Sequence, residues 1–276
     1  TTNKGYEIEL HWNDAIGRDF NYNVGFTFSH AENKITAMDE PALKTSYRRQ
    51  TGLPIGQYFG LIADGFITSA DVASGNLPMS TYGPTQVGDL KYRDMNGDGF
   101  IDDRDITAIG YSDLPENTFA ITLGAQWKGI GFSVMFQGVD HVSRYYDAEA
   151  MYAFVNGGKV KEHHLDRWNP AKTEAENLAN AKYPLLHYDQ YGNHNQRQNS
   201  FFLKNGSFVR LKNIELSYTL PEKWTRHVFM SQCRFYVNAN NLITWDHLDD
   251  LTDPENNGSN RYPICKTVNF GVNIQF

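Results

Sequence analysis

Five oxygen-bearing side chains recur through residues 94–105 at the spacing of a calcium-binding loop. Asp94, Asn96, Asp98, Asp102 and Asp105 stand at loop positions 1, 3, 5, 9 and 12. Gly99 occupies position 6, where such a loop turns sharply, and Phe100 at position 7 offers a backbone carbonyl. A hard cation wants about six to eight oxygens, and this order wraps them round one point. The usual position-12 Glu is an Asp here, shorter and less suited to bidentate binding. The competing reading is an acidic Asn-Gly/Asp-Gly turn that binds nothing. Flanking helices of an EF-hand are absent from the pattern, so the loop reads as an insert in a β protein. His163, His164, His187 and His194 share one stretch with Asp166 and Asp189, but without HxxxH or HExxH spacing they read as surface histidines rather than a zinc site. No GxSxG, P-loop or CxxC occurs, and nothing points to an enzyme.

The chain that must carry this loop has 276 residues, a net charge of -7 and 14 % aromatic residues. Its mean hydropathy is -0.55, and no window approaches the roughly 18 apolar residues of a membrane helix. High aromatic content in so hydrophilic a chain suits strands with one apolar and one polar face. The acidic balance argues against nucleic acid and against a polybasic membrane patch. Thr1-Thr2-Asn3-Lys4 shows no signal-peptide pattern, which leaves a removed signal or a start within something larger.

Alternation with a period of two gives the architecture. Tyr6, Ile8, Leu10 and Trp12 alternate with Glu7, Glu9 and His11, and after a turn at 14–18 the run from Phe20 to Ser29 does the same. The segments 119–127 and 130–137, joined at Lys128-Gly129, form a second hairpin. A strand over 208–220 ends at Pro221; Arg210 and Lys212 fall on the face of Ile214, Leu216 and Tyr218, which predicts a bulge or a position outside any apolar zone. Strands over 233–242 and 268–276 complete a set of seven. Between them lie long stretches at 31–117, 140–205 and 246–262 where the period stops. A short helix over 148–154 is the only regular element expected in the second.

Short turns and long loops alternate, so every long loop falls at the same end of the strands. Membrane β-barrels have that asymmetry, with short periplasmic turns, long extracellular loops and an apolar outer face. The expected fold class is therefore all-β, an antiparallel transmembrane β-barrel. Seven strands are odd and too few to close a bacterial barrel, and an open sheet in lipid leaves edge hydrogen bonds unmade. The chain then reads as the tail of a larger barrel. The alternative is a soluble secreted β-sandwich that binds carbohydrate through loop aromatics and is stiffened by calcium.

Several ordered segments resemble the C-terminal part of SusC/RagA-type TonB-linked outer-membrane transporters. They are Pro54-Ile55-Gly56 through Gly60, Asp64-Gly65-Phe66, and Gly88-Asp89-Leu90-Lys91-Tyr92 leading into Asp94-Met95-Asn96-Gly97-Asp98-Gly99. Further along stand Phe136-Gln137-Gly138, Asp166-Arg167-Trp168-Asn169-Pro170 and Phe208-Val209-Arg210-Leu211-Lys212-Asn213-Ile214. The set ends with Tyr218-Thr219-Leu220-Pro221, Asn240-Asn241-Leu242, Asp253-Pro254-Glu255 and the terminal run from Gly271 to Phe276.

The resemblance implies a 22-stranded barrel with an internal plug in a Gram-negative, Bacteroidetes-like outer membrane, of which residues 1–276 supply about the last third. The family's signal, plug and TonB-contacting segment have no counterpart in the sequence. The implied partners are a SusD-like surface lipoprotein lid, TonB with ExbB and ExbD as energy source, and oligosaccharide or peptide cargo; pairs of transporter and lipoprotein are expected to dimerise. Phe276 falls at the terminal aromatic read by barrel-insertion machinery. The polar faces expected to line a wet lumen carry Glu7, Glu9, Asn21, Asn23, Gln126, Gln137, Asn238, Asn240, Asn269 and Asn273. Strand direction places Cys233 and Cys265 at opposite ends, roughly 30 Å apart and far beyond the reach of a disulfide.

Overall fold

The computed structural model describes residues 1–41, 45–146, 151–155, 158–188, 193–249, 252–256 and 262–276. Seven strands form one sheet: β1 (Thr2–Ile16), β2 (Phe20–Lys34), β3 (Asn117–Trp127), β4 (Ile130–Asp140), β5 (Phe208–Thr219), β6 (Gln232–Trp245) and β7 (Thr267–Gln275). They lie side by side in chain order, each antiparallel to the next. The three long connections therefore leave and re-enter at one edge, as the loop parity predicts. β1 and β2 are longer than their alternation suggests. Pairing continues to Thr2↔Lys34 through Asn3, Lys4, Glu32 and Asn33, polar residues that carry no period but keep the ladder. The β5–β6 connection is also longer than a proline turn: Pro221 opens a short helical segment, Glu222–Thr225, that runs into a 3-10 turn at Arg226–Val228.

Register converts the alternation of single strands into rows across the sheet. One row reads Trp12, Val24, Leu123, Val134, Ile214, Ala239 and Val268; another reads Leu10, Phe26, Ile121, Phe136, Leu211 and Ile243. Nearer the short turns come Phe20, Trp127, Ile130, Tyr218, Phe235 and Val272. This apolar face is largely exposed, Trp12 to 61 % and Phe270 to 83 %, while Val134, Leu211 and Ala239 within it are buried. Such an area of exposed aromatic and aliphatic side chains marks a surface meant for an apolar environment.

The bulge expected near Arg210 and Lys212 is present. Against β4, Met135 pairs with Asn213 and Phe136 with Leu211, so Lys212 is the extra residue. The side-chain phase flips there. Leu211 joins the apolar face, while Arg210 turns to the polar face opposite Gln137 and Thr244. Cys233 pairs with Ile274 at one end of β7, whereas Cys265 precedes Thr267 at the other; both thiols are free.

The long stretches differ from their expected irregularity. Residues 35–116 hold three short ladders, pairing Gln57–Gly60 with Thr107–Ser112, Ala63–Phe66 with Leu90–Tyr92, and Met79–Ser80 with Phe100–Ile101 in parallel. A helix, α1 (Ser69–Ser74), is closed by a Thr68/Asp71 capping box and by Gly75 at φ +68°. Strands of two to six residues are too short for a period of two to be recognised. The 141–207 stretch carries a further helix, α2 (Glu174–Asn180), capped by Thr173 and Glu176. Of the helix expected over 148–154, residues 148–150 lie outside the described residues.

The main buried hydrophobic cluster among the described residues lies in these connections. Leu61, Leu90, Tyr92, Ile101, Tyr146, Met151, Tyr152, Val155, Tyr183, Phe202 and Leu248 form one cluster drawn from all three. Among the described residues no helix is long and apolar enough to cross a membrane.

Candidate functional site

The polar face of the sheet carries rows as regular as the apolar ones. Asn13, Asn23, Gly124, Ser133, Glu215, Asn238 and Asn269 stand side by side, and Asn21, Gln126, Gly131, Ser217, Tyr236 and Gly271 form the next row. Every residue expected to line the lumen lies on this face. The amides bond one another across strands: Asn213 Nδ2 donates to Asn240 Oδ1 at 2.9 Å, and Asn269 Nδ2 to Asn238 Oδ1 at 2.9 Å. Glu215 and Arg234 form an ion pair within the wall. Sequence reasoning passed over this pair because neither residue breaks the alternation. The glycines have a packing reason. A Cβ on Gly124 would stand 2.2 Å from Asn23 Oδ1, and one on Gly271 2.3 Å from the Tyr236 ring, so each leaves room for the neighbouring side chain to lie flat on the wall.

Above the wall, the sequence segments that carry the family resemblance pack on one another. Gly88 has φ +96°, and a Cβ there would sit 2.4 Å from the ring of Trp168, which the Asp166-Arg167-Trp168-Asn169-Pro170 segment supplies. Asp89 is buried; it receives the Gln86 N–H at 2.8 Å and the Asn195 amide at 2.8 Å, and pairs with His187 Nε2 at 2.6 Å. Lys91 bonds Asp71 of α1 at 2.9 Å. Fully buried Asn199 links the same layer, donating to Tyr92 Oη at 2.9 Å and accepting from the Phe201 and Phe202 N–H groups. These are braces of a folded cap.

The acidic loop winds as its spacing predicts, with Gly97 and Gly99 at positive φ. Asp94 accepts from the N–H groups of Gly97 (2.6 Å), Asp98 (3.3 Å) and Gly99 (2.8 Å). Asn96 accepts from Asp98 N–H, and Asp98 accepts from Phe100 N–H, each at 3.0 Å. Buried Asp105 caps Met95 and Asp102 N–H at 2.8 and 2.9 Å. The guanidinium of Arg104 lies 2.8 Å from Asp98 and 2.6 Å from Asp102, and its hydrogen bond holds the Asp102 carboxyl below the usual carboxylate range. The place between Asp98 and Asp102 is taken by Arg104. Among the described residues no group of three or more His, Cys, Asp or Glu side chains is gathered closely enough to hold a metal.

The histidines, read as surface residues, are largely inside the cap; Asp189 of that set lies outside the described residues. His164 accepts the Lys161 N–H at Nδ1 (2.9 Å) and donates from Nε2 to Met151 O (2.7 Å), which fixes a neutral imidazole. His194 sits between Ser80 Oγ (2.8 Å) and Leu90 O (2.6 Å). Burial lowers the pKa of His163, His164 and His194 below the ordinary 6.5. The unfolded cap therefore takes up protons that the folded cap refuses. Stability is whole above the unfolded value and falls as pH drops below it toward the lowered folded values. Hydrogen exchange across residues 151–203 is expected to speed up on moving from about pH 7.5 to about pH 5 after correction for intrinsic rates; unchanged protection would refute it.

No family model matches the chain. Three curated relatives from Formosa agariphila are similar over 99 % of it: TonB-dependent receptors P3 and P26, each 25 % identical, and P39, 22 % identical. The chain spans 28 to 30 % of their length. Its fold matches that of the RagAB peptide transporter with a TM-score of 0.70 at 20 % identity, covering 99 % of this chain and 29 % of that one. The RagAB peptide importer matches in its open-open and closed-closed states, each with a TM-score of 0.68 at 22 % identity, covering 99 % of this chain and 28 and 29 % of those chains. With an apolar face largely exposed, a polar face of amide rows and all long loops at one end, the chain is similar in sequence to part of these TonB-dependent receptors and shares the fold of part of the RagAB transporter.

Proposed function

We propose that this chain is a portion of the barrel wall of an outer-membrane importer, its apolar rows in lipid and its amide rows facing a water-filled lumen. The single observation that carries the reading is the largely exposed apolar face on one sheet. A soluble β-sandwich packs a second sheet about 10 Å above such a face, and among the described residues none lies there. The wall makes and breaks no bond. Its neutral amides offer donors and acceptors without fixed charge, suited to oligopeptides or oligosaccharides that pass without being trapped. A SusD-like lipoprotein lid over the folded cap, in a dimer of such pairs, and energy from TonB with ExbB and ExbD complete the proposed machine. Fractionation tests it: the native polypeptide should resist extraction by salt and buffer, enter detergent, and prove several times longer than 276 residues. Recovery in buffer would restore the carbohydrate-binding sandwich.

The acidic loop has a bracing role in the same proposal. Ca2+ would be held by Asp94, Asn96, Asp98, the Phe100 carbonyl, Asp102 and Asp105, with Arg104 swung outward. The spacing of the oxygen-bearing residues and the turn at Gly97 and Gly99, both at positive φ, support this. A chelator is then expected to hasten proteolysis within residues 85–110 of the wild type and to change nothing in Asp94→Ala/Asp98→Ala. Equal cleavage of the wild type with and without chelator would refute it.

A further inference from the structure

The third long connection does not only arch over the sheet. Part of it is folded inward onto the polar wall. Arg210, which the Lys212 bulge turns to that face, is 2 % exposed although its neighbours across the sheet, Gln137 and Thr244, stand on the lumen side. What covers it is Asp253-Pro254-Glu255. Arg210 Nη2 lies 2.8 Å from Asp253, its Nη1 3.5 Å from Glu255, and its Nε donates to Thr244 Oγ1 at 2.9 Å. Lys212 Nζ reaches both oxygens of Glu255 at 2.8 Å. From the second connection, Arg144 donates to Pro254 O at 3.4 Å and to Asp113 O at 2.7 Å. Pro254 is buried, and Asp253 accepts the Glu255 N–H at 2.9 Å, so the segment is a tight turn with both carboxylates aimed at cations.

We infer that residues 252–256 are a strap across the mouth of the lumen, held down by Arg210 and Lys212 as positioning residues, and that its release widens the path. The inference rests on the barrel reading of the proposed function. Three observations converge on it. The strand interrupts its alternation at the one point that brings Arg210 round to the inside. Arg210 meets both carboxylates of the turn, and Lys212 meets Glu255. The contact is largely withdrawn from water, with Asp253 10 % and Glu255 18 % exposed, where an ion pair is screened little and losing one partner strands the other.

The experiment uses the full-length receptor in outer-membrane vesicles, with Cys265→Ser removing the exposed thiol and Asn256→Cys as the reporter. Labelling of the reporter by a membrane-impermeant maleimide is compared with entry of a large hydrophilic dye. Arg210→Gln/Lys212→Gln should raise both by roughly tenfold, the change that about 1.4 kcal/mol of opening produces. Asp253→Asn/Glu255→Gln should do the same from the loop side and leaves the barrel strand untouched, so a folding defect of the first variant cannot decide the matter. Unchanged labelling in both neutralised variants overturns the strap, and so does faster labelling without dye entry. Failure of the barrel reading would show separately, as unmutated receptor that is absent from the membrane fraction.

Discussion

Phe202→Ala is expected to unfold the cap and leave the barrel sheet standing. Phe202 is 2 % exposed and lies at the junction of the three long connections. Its ring meets Tyr152 edge-on at 5.0 Å and Phe201 at 5.0 Å, within the cluster that also takes Leu61, Tyr92 and Ile101 from the first connection and Leu248 from the third. Its backbone is tied as well, to Tyr146 N–H at 3.2 Å and to Asn199 Oδ1 at 3.2 Å. Truncating a buried Phe costs about 3–5 kcal/mol, through lost burial and through the cavity left behind. Limited proteolysis should cut 57–203 at least tenfold faster in the variant, while the sheet keeps its resistance to heat in detergent. Loss of both together would show that cap and sheet fold as one unit; loss of neither would mean that Phe202 is not the keystone.

The different legibility of the two halves has a physical cause. Along β1 to β7 one face of the sheet is apolar and the other polar, and a strand has only one way to serve both. The alternation from Phe20 to Ser29 or from Phe119 to Trp127 therefore states strand, face and register at once. Even the exception was informative: Arg210 and Lys212 broke the pattern, and the structure puts a bulge there. In the cap no such boundary exists. Met79–Ser80 and Phe100–Ile101 pair over two residues, and Gly88 is explained only by Trp168, eighty residues away in sequence. A single sequence carries no mark that those two residues touch. The histidines were misplaced for a related reason. A polar stretch with four of them reads as solvent-exposed, yet His164 and His194 are buried, with Met151 O accepting from the His164 ring and Leu90 O from the His194 ring. The acidic loop was legible in its path, through the glycines and the Asx turns, but not in the use of Arg104 as its internal counter-charge.

Leu123→Arg should prevent the sheet from assembling in a membrane, with little effect on the same sheet in water. Leu123 sits near the middle of β3, in the row that runs from Trp12 through Val24, Val134 and Ile214 to Val268. Its side chain is 39 % exposed. If lipid fills that side, arginine near the bilayer midplane costs about 2–4 kcal/mol. If water does, a surface substitution of this kind costs within about 0.5 kcal/mol. Gln126→Arg is the matched control: it lies on the same strand, three residues on and on the amide face, where a charge stays hydrated. The expected result is that Leu123→Arg lowers the fraction of heat-modifiable, detergent-extracted receptor by tenfold or more while Gln126→Arg leaves it near the unmutated amount. Equal yields for the two would remove the apolar rows from lipid, and the lumen, the strap and the import reading would go with them.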